Sequence, residues 1–235
     1  MATTTTTTKS TRGFSKRRKA NVAAFSKEAV SPAAAIAALR KFKSPKFDQT
    51  INVVLHLGID PKQADQIIRG SIGLPHGTGK TARVICFCNS DKAPAAKAAG
   101  AVEAGAEDLV AKIEGGWMDF DVAVASPDMM RVVSKLGKVL GPKGLMPSPK
   151  AGTVAADVVT AVKEYSNGKQ EYRNDDGGNV HGVIGKLSFA DANLVENLEA
   201  FIANINKIKP AASKGTYIKK CVICACMSPS VHIAV

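Results

Sequence analysis

The sequence predicts an α/β fold of two domains, one inserted into the other. From about residue 70 to residue 160 buried strands alternate with helices, an order typical of a small parallel sheet covered by helices. The segments on either side combine half-buried strands with amphipathic helices, and 45% hydrophobic residues in a chain of 235 supply apolar surface for both cores. We therefore predict an outer domain from 31–69 plus 160–235, an inserted domain at 70–159, and a basic, partly disordered N-terminal extension at 1–30.

The first part of the outer domain is predicted to contain two helices with a strand between them. Ser31 is a capping residue and Pro32 suits the first turn of a helix over 31–42. Polar and apolar residues alternate within 46–59, as they do in a half-buried strand. An Asp-Pro start then predicts a short helix over 60–70.

The inserted domain begins with the apolar run 82–88, "ARVICFC", which predicts a strand buried on both faces. A second run of this kind, 120–127, predicts its neighbour. Helices are expected at 92–101, 107–117 and 128–141.

The second part of the outer domain follows a helix over 155–168. The segment 169–189 predicts a hairpin, because its "NDDGG" turn supplies Asp and Gly where positive φ angles are needed. An amphipathic helix over 191–210 and a last strand over 215–227 complete the chain.

The charge of the chain is concentrated near its N-terminus. The sequence has 32 Lys+Arg and 20 Asp+Glu, a net charge of +12, and residues 1–50 hold 11 of the basic and two of the acidic side chains. A compact basic segment on a nearly balanced body favours an anionic partner, with nucleic acid favoured over a membrane. The alternative is a solvated tail that serves solubility.

The composition of the N-terminal segment is compatible with a protein of the cytosol and with one imported into an organelle. The N-terminal segment has no apolar stretch of the kind a secretory signal needs, and no run of 18 apolar residues predicts a membrane helix anywhere in the chain. Its Thr, Ser, Lys and Arg content without acids would also suit an organellar transit peptide. Five cysteines, an odd number, indicate reduced thiols in a cytosol-like compartment.

The stretch "GLPHGTGKT", at 73–81, is close to a nucleotide-binding P-loop. The motif needs a glycine where this chain has Leu74, and Pro75 removes a backbone N–H that would face a phosphate. A predicted strand follows instead of a helix, so no helix N-terminus would point at the phosphates. A P-loop-like nucleotide-binding enzyme is therefore the disfavoured alternative, and a connection between domains is preferred.

Other candidate sites are weak. Lys143 and Lys150 lie in a Gly- and Pro-rich loop at 140–153, where they could contact phosphates or solvent equally well. No metal site is predicted, because the cysteines of "CVICACM" suit an apolar strand. No catalytic residue is predicted either, because the carboxylate pairs suit strand starts and turns, and no cofactor is expected. The residues concerned are Cys221, Cys224, Cys226, Asp119, Asp121, Asp175 and Asp176.

Seven segments together resemble the bacterial-type large-subunit ribosomal protein L-one, the protein of the mobile ribosomal stalk. They occur in family order and span most of the chain from residue 31 to residue 231. They are "KFDQT" (46–50), "LGIDPKQADQIIRG" (57–70), "LPHGTGK" (74–80), "GWMDFDVAVASPDMM" (116–130), "KLGKVLGPKGLMPSPKAGTV" (135–154), "EYRNDDGGNVHGVIGK" (171–186) and "KPAASKGTYIKK" (209–220).

The resemblance implies a discontinuous, two-layer α+β RNA-binding domain and an inserted, Rossmann-like, three-layer α/β domain. It implies a non-enzymatic protein of the ribosome that binds large-subunit rRNA, assists release of deacylated tRNA from the E site, and represses its own operon by binding the mRNA. The expected location is the bacterial cytoplasm, on the ribosome, with an organellar ribosome as the alternative. No membrane partner is implied.

The resemblance also implies site residues. The RNA-binding set is Lys46, Phe47, Asp48, Arg173, Lys186, Lys214, Thr216, Tyr217, Met227, Ser228 and Ser230. For Phe47 and Met227, core packing is an equally good interpretation. The interdomain hinge is expected at Gly70, Gly73, Val159 and Thr160. This chain departs from the family at 226–229, where Cys-Met-Ser-Pro replaces Thr-Met-Gly-Pro, and we expect Ser228 to hold the backbone farther from RNA than glycine would.

Overall fold

The structure is a computed structural model that describes residues 14–25, 28–213 and 215–234, and it confirms the α/β class. In these residues the α-helices are α1 (Lys16–Ala23), α2 (Pro32–Lys41), α3 (Ala93–Ala98), α4 (Glu107–Glu114), α5 (Met130–Val133), α6 (Gly137–Leu140), α7 (Val158–Ser166) and α8 (Asp191–Lys207). The strands are β1 (Thr50–Leu57), β2 (Arg69–Ile72), β3 (Val84–Phe87), β4 (Ala101–Gly105), β5 (Val122–Ala125), β6 (Gln170–Arg173), β7 (Asn179–Lys186), β8 (Ile218–Ala225) and β9 (Ser230–Ile233). None of the described helices combines the length and the apolar character that a membrane crossing requires.

The outer domain is a two-layer structure built on the antiparallel sheet β7-β1-β8-β9. Burial alternates along β1, with Ile51, Val53 and Leu55 inaccessible to solvent, because α2 and α8 cover only one face of the sheet. Leu198 and Phe201 of α8 fill the space between the layers. The period-two pattern read from the sequence therefore corresponds to a strand with one covered face.

The inserted domain has three layers around the parallel sheet β4-β3-β5. All four residues of β3 are buried, since helices pack on both faces. One face is covered by α4 with the helical segment 127–140, and the other by α3 and α7. The continuous apolar run at 82–88 predicted this arrangement, which is confirmed.

Two predicted helices and the C-terminal strand differ in the structure. The helix expected over 60–70 is wrong: only a 3-10 turn forms, at Ala64–Gln66, and the chain then continues into β2, which pairs with β6. The helix expected over 128–141 is a succession of short α and 3-10 segments. The chain also continues beyond the predicted last strand into a hairpin partner, β9, and α1 adds an ordered helix to the basic extension.

The connections between the domains lie later in the chain than 70 and 160. Ile72 and Leu74 pack in the outer core, whereas α7 packs on the inserted sheet. The chain therefore crosses near 77–83 and again near 167–169, and the two crossings touch where Gly168 (φ 95°) leaves space beside the Thr78 hydroxyl.

The predicted hinge residues are placed accordingly. Gly70 is fixed within β2, opposite Tyr172, and a Cβ there would come within 2.7 Å of the tyrosine oxygen. Val159 and Thr160 lie in the first turn of α7, where Asp157 caps both backbone N–H groups. Of the four residues, Gly73 is the one in open backbone close to a crossing. The hinge itself stays a prediction.

The P-loop-like stretch is docked on the outer domain. The side chain of Asn197, fully buried on α8, accepts a hydrogen bond from the His76 backbone N–H (3.1 Å) and donates to the Gly77 and Ile184 carbonyls (3.1 and 2.8 Å). Coil leads from this loop directly into β3, so no helix N-terminus faces Lys80. The interpretation of 73–81 as a connection is the one that this geometry supports.

The "NDDGG" turn joins β6 to β7 as expected. The Asp175 carboxylate accepts hydrogen bonds from the backbone N–H groups of Gly177 and Asn179 (2.9 and 2.7 Å) and from the Asn179 amide. These bonds lower the pKa of Asp175 to about 2. Gly178, at φ 72°, makes the backbone reversal.

Replacing Asn197 by Ala should destabilise the protein by roughly 1–3 kcal/mol, because the buried Ile184 carbonyl and the half-buried Gly77 carbonyl lose their donor and the His76 backbone N–H loses its acceptor. Urea unfolding followed by circular dichroism measures the effect. The control is Glu196→Ala on the same helix, which removes only an exposed contact with the His76 ring and should leave the midpoint nearly unchanged. Equal midpoints for the two variants would contradict the importance of the Asn197 amide.

Candidate nucleic-acid interface

The antiparallel register brings most of the predicted RNA-binding residues to one edge of the outer sheet. Thr50, at the start of β1, pairs with Lys186 at the end of β7, and Ile51 pairs with Ala225 at the end of β8. The loop before β1 and the β8–β9 turn therefore meet at this edge. We call it the edge surface, and it consists of Lys46, Phe47, Asp48, Lys186, Met227, Ser228 and Ser230.

Three further predicted residues that the structure describes lie at the opposite end of the sheet. Thr216 and Tyr217 precede β8, where Tyr217 O accepts a hydrogen bond from Gly58 N, just after β1. Arg173 ends β6 beside the turn at 174–178. The two ends of β1 are about 23 Å apart at 3.3 Å per residue. Lys214 lies outside the described residues.

The exposed apolar side chains of the edge surface are Phe47 and Met227. Phe47 is 47% exposed and Met227 is 67% exposed, so neither packs in the core. Tyr217 behaves in the opposite way, because it is only 6% exposed and packs in the outer core. Burial raises its pKa to about 12, and its hydroxyl has no hydrogen-bond partner among the described residues. Tyr217 therefore does not present its ring to a partner in this conformation.

Asp48, itself exposed on the edge surface, bonds two of its loops to each other. Its carboxylate accepts hydrogen bonds from the Ser188 backbone N–H (3.2 Å) and the Ser188 hydroxyl (2.9 Å). Those bonds fix the loop between β7 and α8 beside Lys46 and Phe47. The carboxylate that would repel phosphate is thus used to hold two loops together.

Gln49 connects three segments of the edge surface. It is 1% exposed, and its amide nitrogen donates to the Cys226 carbonyl and to the Ser228 hydroxyl (3.1 Å). The backbone carbonyl of Gln49 accepts a hydrogen bond from the Leu187 backbone N–H (2.8 Å). Sequence reasoning did not single out Gln49, although a polar residue at the start of a strand, directly after the "KFD" segment, was visible in the sequence.

The β8–β9 turn holds the only positive φ of a non-glycine residue in the described chain, 61° at Met227. Ser228 N donates to Ala225 O (2.9 Å) across this turn. The left-handed conformation that glycine prefers thus falls on Met227, while Ser228 has an ordinary negative φ. The Ser228 hydroxyl accepts a hydrogen bond from the Gln49 amide (3.1 Å). The expectation that Ser228 holds the backbone farther from RNA than glycine would stays a prediction.

The uncovered face of the outer sheet extends from the edge surface to its other end. The sequence analysis did not predict that the residues of this face are candidate site residues. They are all half-buried: Asn52, Val54, His56, Val222, Cys224 and His232. Their alternation with buried neighbours along β1 and β8 was the available signal. The His56 ring shares a 2.9 Å hydrogen bond with Asn179.

Two cysteines of β8, Cys221 and Cys224, lie on opposite faces of the sheet, and Cys226 follows the strand. Cys221 packs in the core, and burial raises its pKa to about 11, as expected for a small apolar residue. Cys224 and Cys226 are half-buried rather than core residues, which corrects the prediction for those two. Within the described ranges, no three His, Cys, Asp or Glu side chains are grouped to hold a metal ion.

The inserted domain carries a further group of exposed basic side chains, which we call its basic surface. Lys143 and Lys150, which the sequence left undecided, are exposed, as are Arg131, Lys135 and Lys138. None of the five forms an ion pair with a described residue. By contrast, Arg83 is paired with Asp119 and Asp121 at the edge of the same domain.

Comparison with known proteins identifies relatives of the whole chain. A family model described as "Ribosomal protein L1p/L10e family" matches residues 39–229. The curated protein "Large ribosomal subunit protein uL1" of Nocardioides sp. (strain ATCC BAA-499 / JS614) is 50% identical over 220 residues, which are 93% of this chain and 92% of that protein.

The two central residues of the turn should respond in opposite ways to glycine. Met227→Gly should raise the free energy of unfolding by about 1 kcal/mol, because glycine adopts φ 61° without strain. Ser228→Gly should lower it, because the hydroxyl bonded to Gln49 is lost where φ is already unstrained. Urea unfolding of both variants is the measurement. Destabilisation by Met227→Gly would mean that its side chain contributes more than the strain removes.

Proposed function

The chain belongs to the ribosomal protein L1p/L10e family, whose proteins are structural rather than enzymatic, and from that premise we propose that it binds large-subunit rRNA through the edge surface. The observation that carries the proposal is the convergence of Lys46, Phe47, Lys186 and Met227 at one end of the sheet. The P-loop-like enzyme that the sequence left as an alternative is wrong.

The chemistry of the edge surface suits structured RNA. Lys46 and Lys186 can neutralise phosphates and set the register of the RNA. Phe47 and Met227 can contact splayed bases and riboses, while Ser230 adds a hydroxyl for 2′-OH groups. Because Asp48 and Gln49 bond the loops to each other, the surface is formed before RNA arrives, which lowers the entropy lost on binding.

We place the protein on the bacterial ribosome in the cytoplasm, at the mobile stalk of the large subunit. There it would assist release of deacylated tRNA from the E site, with the basic surface of the inserted domain as the contact for tRNA phosphates. An mRNA of its own operon would bind the same edge surface as rRNA, and competition between the two RNAs tests that repressor role. The joint near 77–83 and 167–169 is where the inserted domain would turn against the outer one.

Replacing Lys46 by Ala should weaken binding to large-subunit rRNA roughly fivefold or more and reduce the slope of log K against log salt by about one, because one phosphate contact is lost. Filter binding at several salt concentrations measures both quantities. The matched control is Lys97→Ala, which removes the same charge from the exposed end of α3 in the inserted domain. Equal losses in both variants would show that only net charge matters and would contradict the edge surface as the site.

Neutralising Lys138 and Lys150 together should weaken binding of deacylated tRNA and leave rRNA binding unchanged, since those side chains are exposed on the inserted domain. Binding of each RNA to the double alanine variant and to Lys46→Ala is compared by filter assay. Loss of rRNA binding in the double variant would instead place rRNA on the inserted domain.

A further inference from the structure

We propose that α1 forms a second wall of the rRNA interface, and that the groove between α1 and the β8–β9 turn holds one strand of the bound RNA, with a phosphate at Arg17. This inference rests on the proposed rRNA binding and extends it to a helix that neither the sequence motifs nor the matched residues 39–229 include.

α1 is attached to the edge surface by a buried side chain. Asn21 is 2% exposed, its amide donates to the Lys43 carbonyl (3.1 Å), and its oxygen accepts from the Lys43 backbone N–H (2.8 Å). This pair of bonds is directed at the loop that presents Lys46 and Phe47 three and four residues later. The helix is therefore fixed beside the edge surface rather than free in the basic extension.

The groove has a volume of about 880 Å³ and shares three residues with the edge surface. The shared residues are Met227, Ser228 and Ser230, and the opposite wall is formed by Phe14, Arg17, Arg18 and Val22. No acidic residue is among the described residues that line it. Two arginines without a carboxylate create a positive cleft, which attracts an anionic strand.

Arg17 is one of the residues that line this cleft. Its Nη2 donates toward the Met227 sulfur at 3.7 Å, which is a weak bond. Its Nη1 is buried and has no hydrogen-bond partner in the part of the chain that the structure describes. Arg17 as a whole is half-buried and lines the groove, so a phosphate there can accept charge-assisted bonds from the accessible part of its guanidinium.

The apolar parts of the groove suit a nucleotide. The Arg18 guanidinium lies over the Phe14 ring, 4.2 Å from its centroid, and an aromatic–guanidinium pair of this kind can serve as a platform on which bases stack. Val22 and Met227, 42% and 67% exposed, offer further apolar surface. An acidic peptide would satisfy the arginines but not this platform, so RNA is the occupant that the lining favours.

The test compares three variants of the full chain for binding to in-vitro-transcribed large-subunit rRNA of the 23S type. Arg17→Ala removes its guanidinium from the groove lining, and Lys19→Ala is the matched control, because it removes the same charge from the same helix outside the groove lining. Asn21→Ala keeps every charge and removes the attachment to Lys43, together with a nearly inaccessible side chain at the border of the groove. Circular dichroism melting confirms that each variant folds.

We expect Arg17→Ala to weaken binding roughly tenfold and to reduce the salt slope by about one. Asn21→Ala should weaken it at an unchanged net charge, and Lys19→Ala should have a small effect. Equal effects of Arg17→Ala and Lys19→Ala, with none from Asn21→Ala, would overturn the inference. If Lys46→Ala also leaves rRNA binding unchanged, the proposed rRNA binding through the edge surface fails as well. If Lys46→Ala weakens rRNA binding while the α1 variants do not, only the inference about the groove is refuted.

A photo-crosslink gives an independent readout. Val22→p-benzoylphenylalanine, in the groove lining, should crosslink to rRNA, and the same replacement at Lys97 on α3 should not. Absence of an RNA crosslink from position 22, under conditions in which the protein binds rRNA, would overturn the proposal. Crosslinking to an acidic protein in its place would identify the groove as a peptide site and would do the same.

Discussion

The interface depends on one buried amide. Gln49 directly precedes β1, and its side chain and backbone carbonyl together bond the β8–β9 turn and the residue that follows β7. A buried amide that loses its partners is destabilising, so these segments keep a fixed mutual position. The exposed Phe47 and Met227 can then stand out from the surface without collapsing into the core. Pre-organisation of this kind favours recognition of a structured RNA.

A second buried amide fixes the joint. Asn197 of α8 holds the loop at 76–77 and the end of β7 at the same time, so the first crossing begins from a rigid point on the outer domain. The second crossing touches the first at Gly168 and Thr78. If the inserted domain turns as we propose, these contacts would confine the change to a few residues beside them, which is how hinges absorb backbone change. A P-loop-like composition is thus explained by backbone reversal at Gly77 and Gly79 rather than by phosphate binding.

Local patterns predicted what depends on near neighbours. The run "ARVICFC" predicted a strand covered on both faces, and the alternation in 46–59 predicted a strand covered on one. The helix expected at 60–70 failed because pairing of β2 with β6, 100 residues away, outweighed an Asp-Pro start. Family motifs named the side chains of the interface, but not Gln49 or Asn21, whose importance comes from hydrogen bonds across 177 and 22 positions of sequence.

The sequence by itself determined the fold class, the family and the basic character of the N-terminal segment, because composition, period and motif spacing are properties of neighbouring residues. Only the tertiary structure decided that the predicted RNA-binding residues separate to two ends of one sheet, and that α1 joins the end that holds Lys46 and Met227. The physical reason is the strand register: pairing of Thr50 with Lys186 and of Ile51 with Ala225 fixes which loops meet, and no local pattern encodes that pairing.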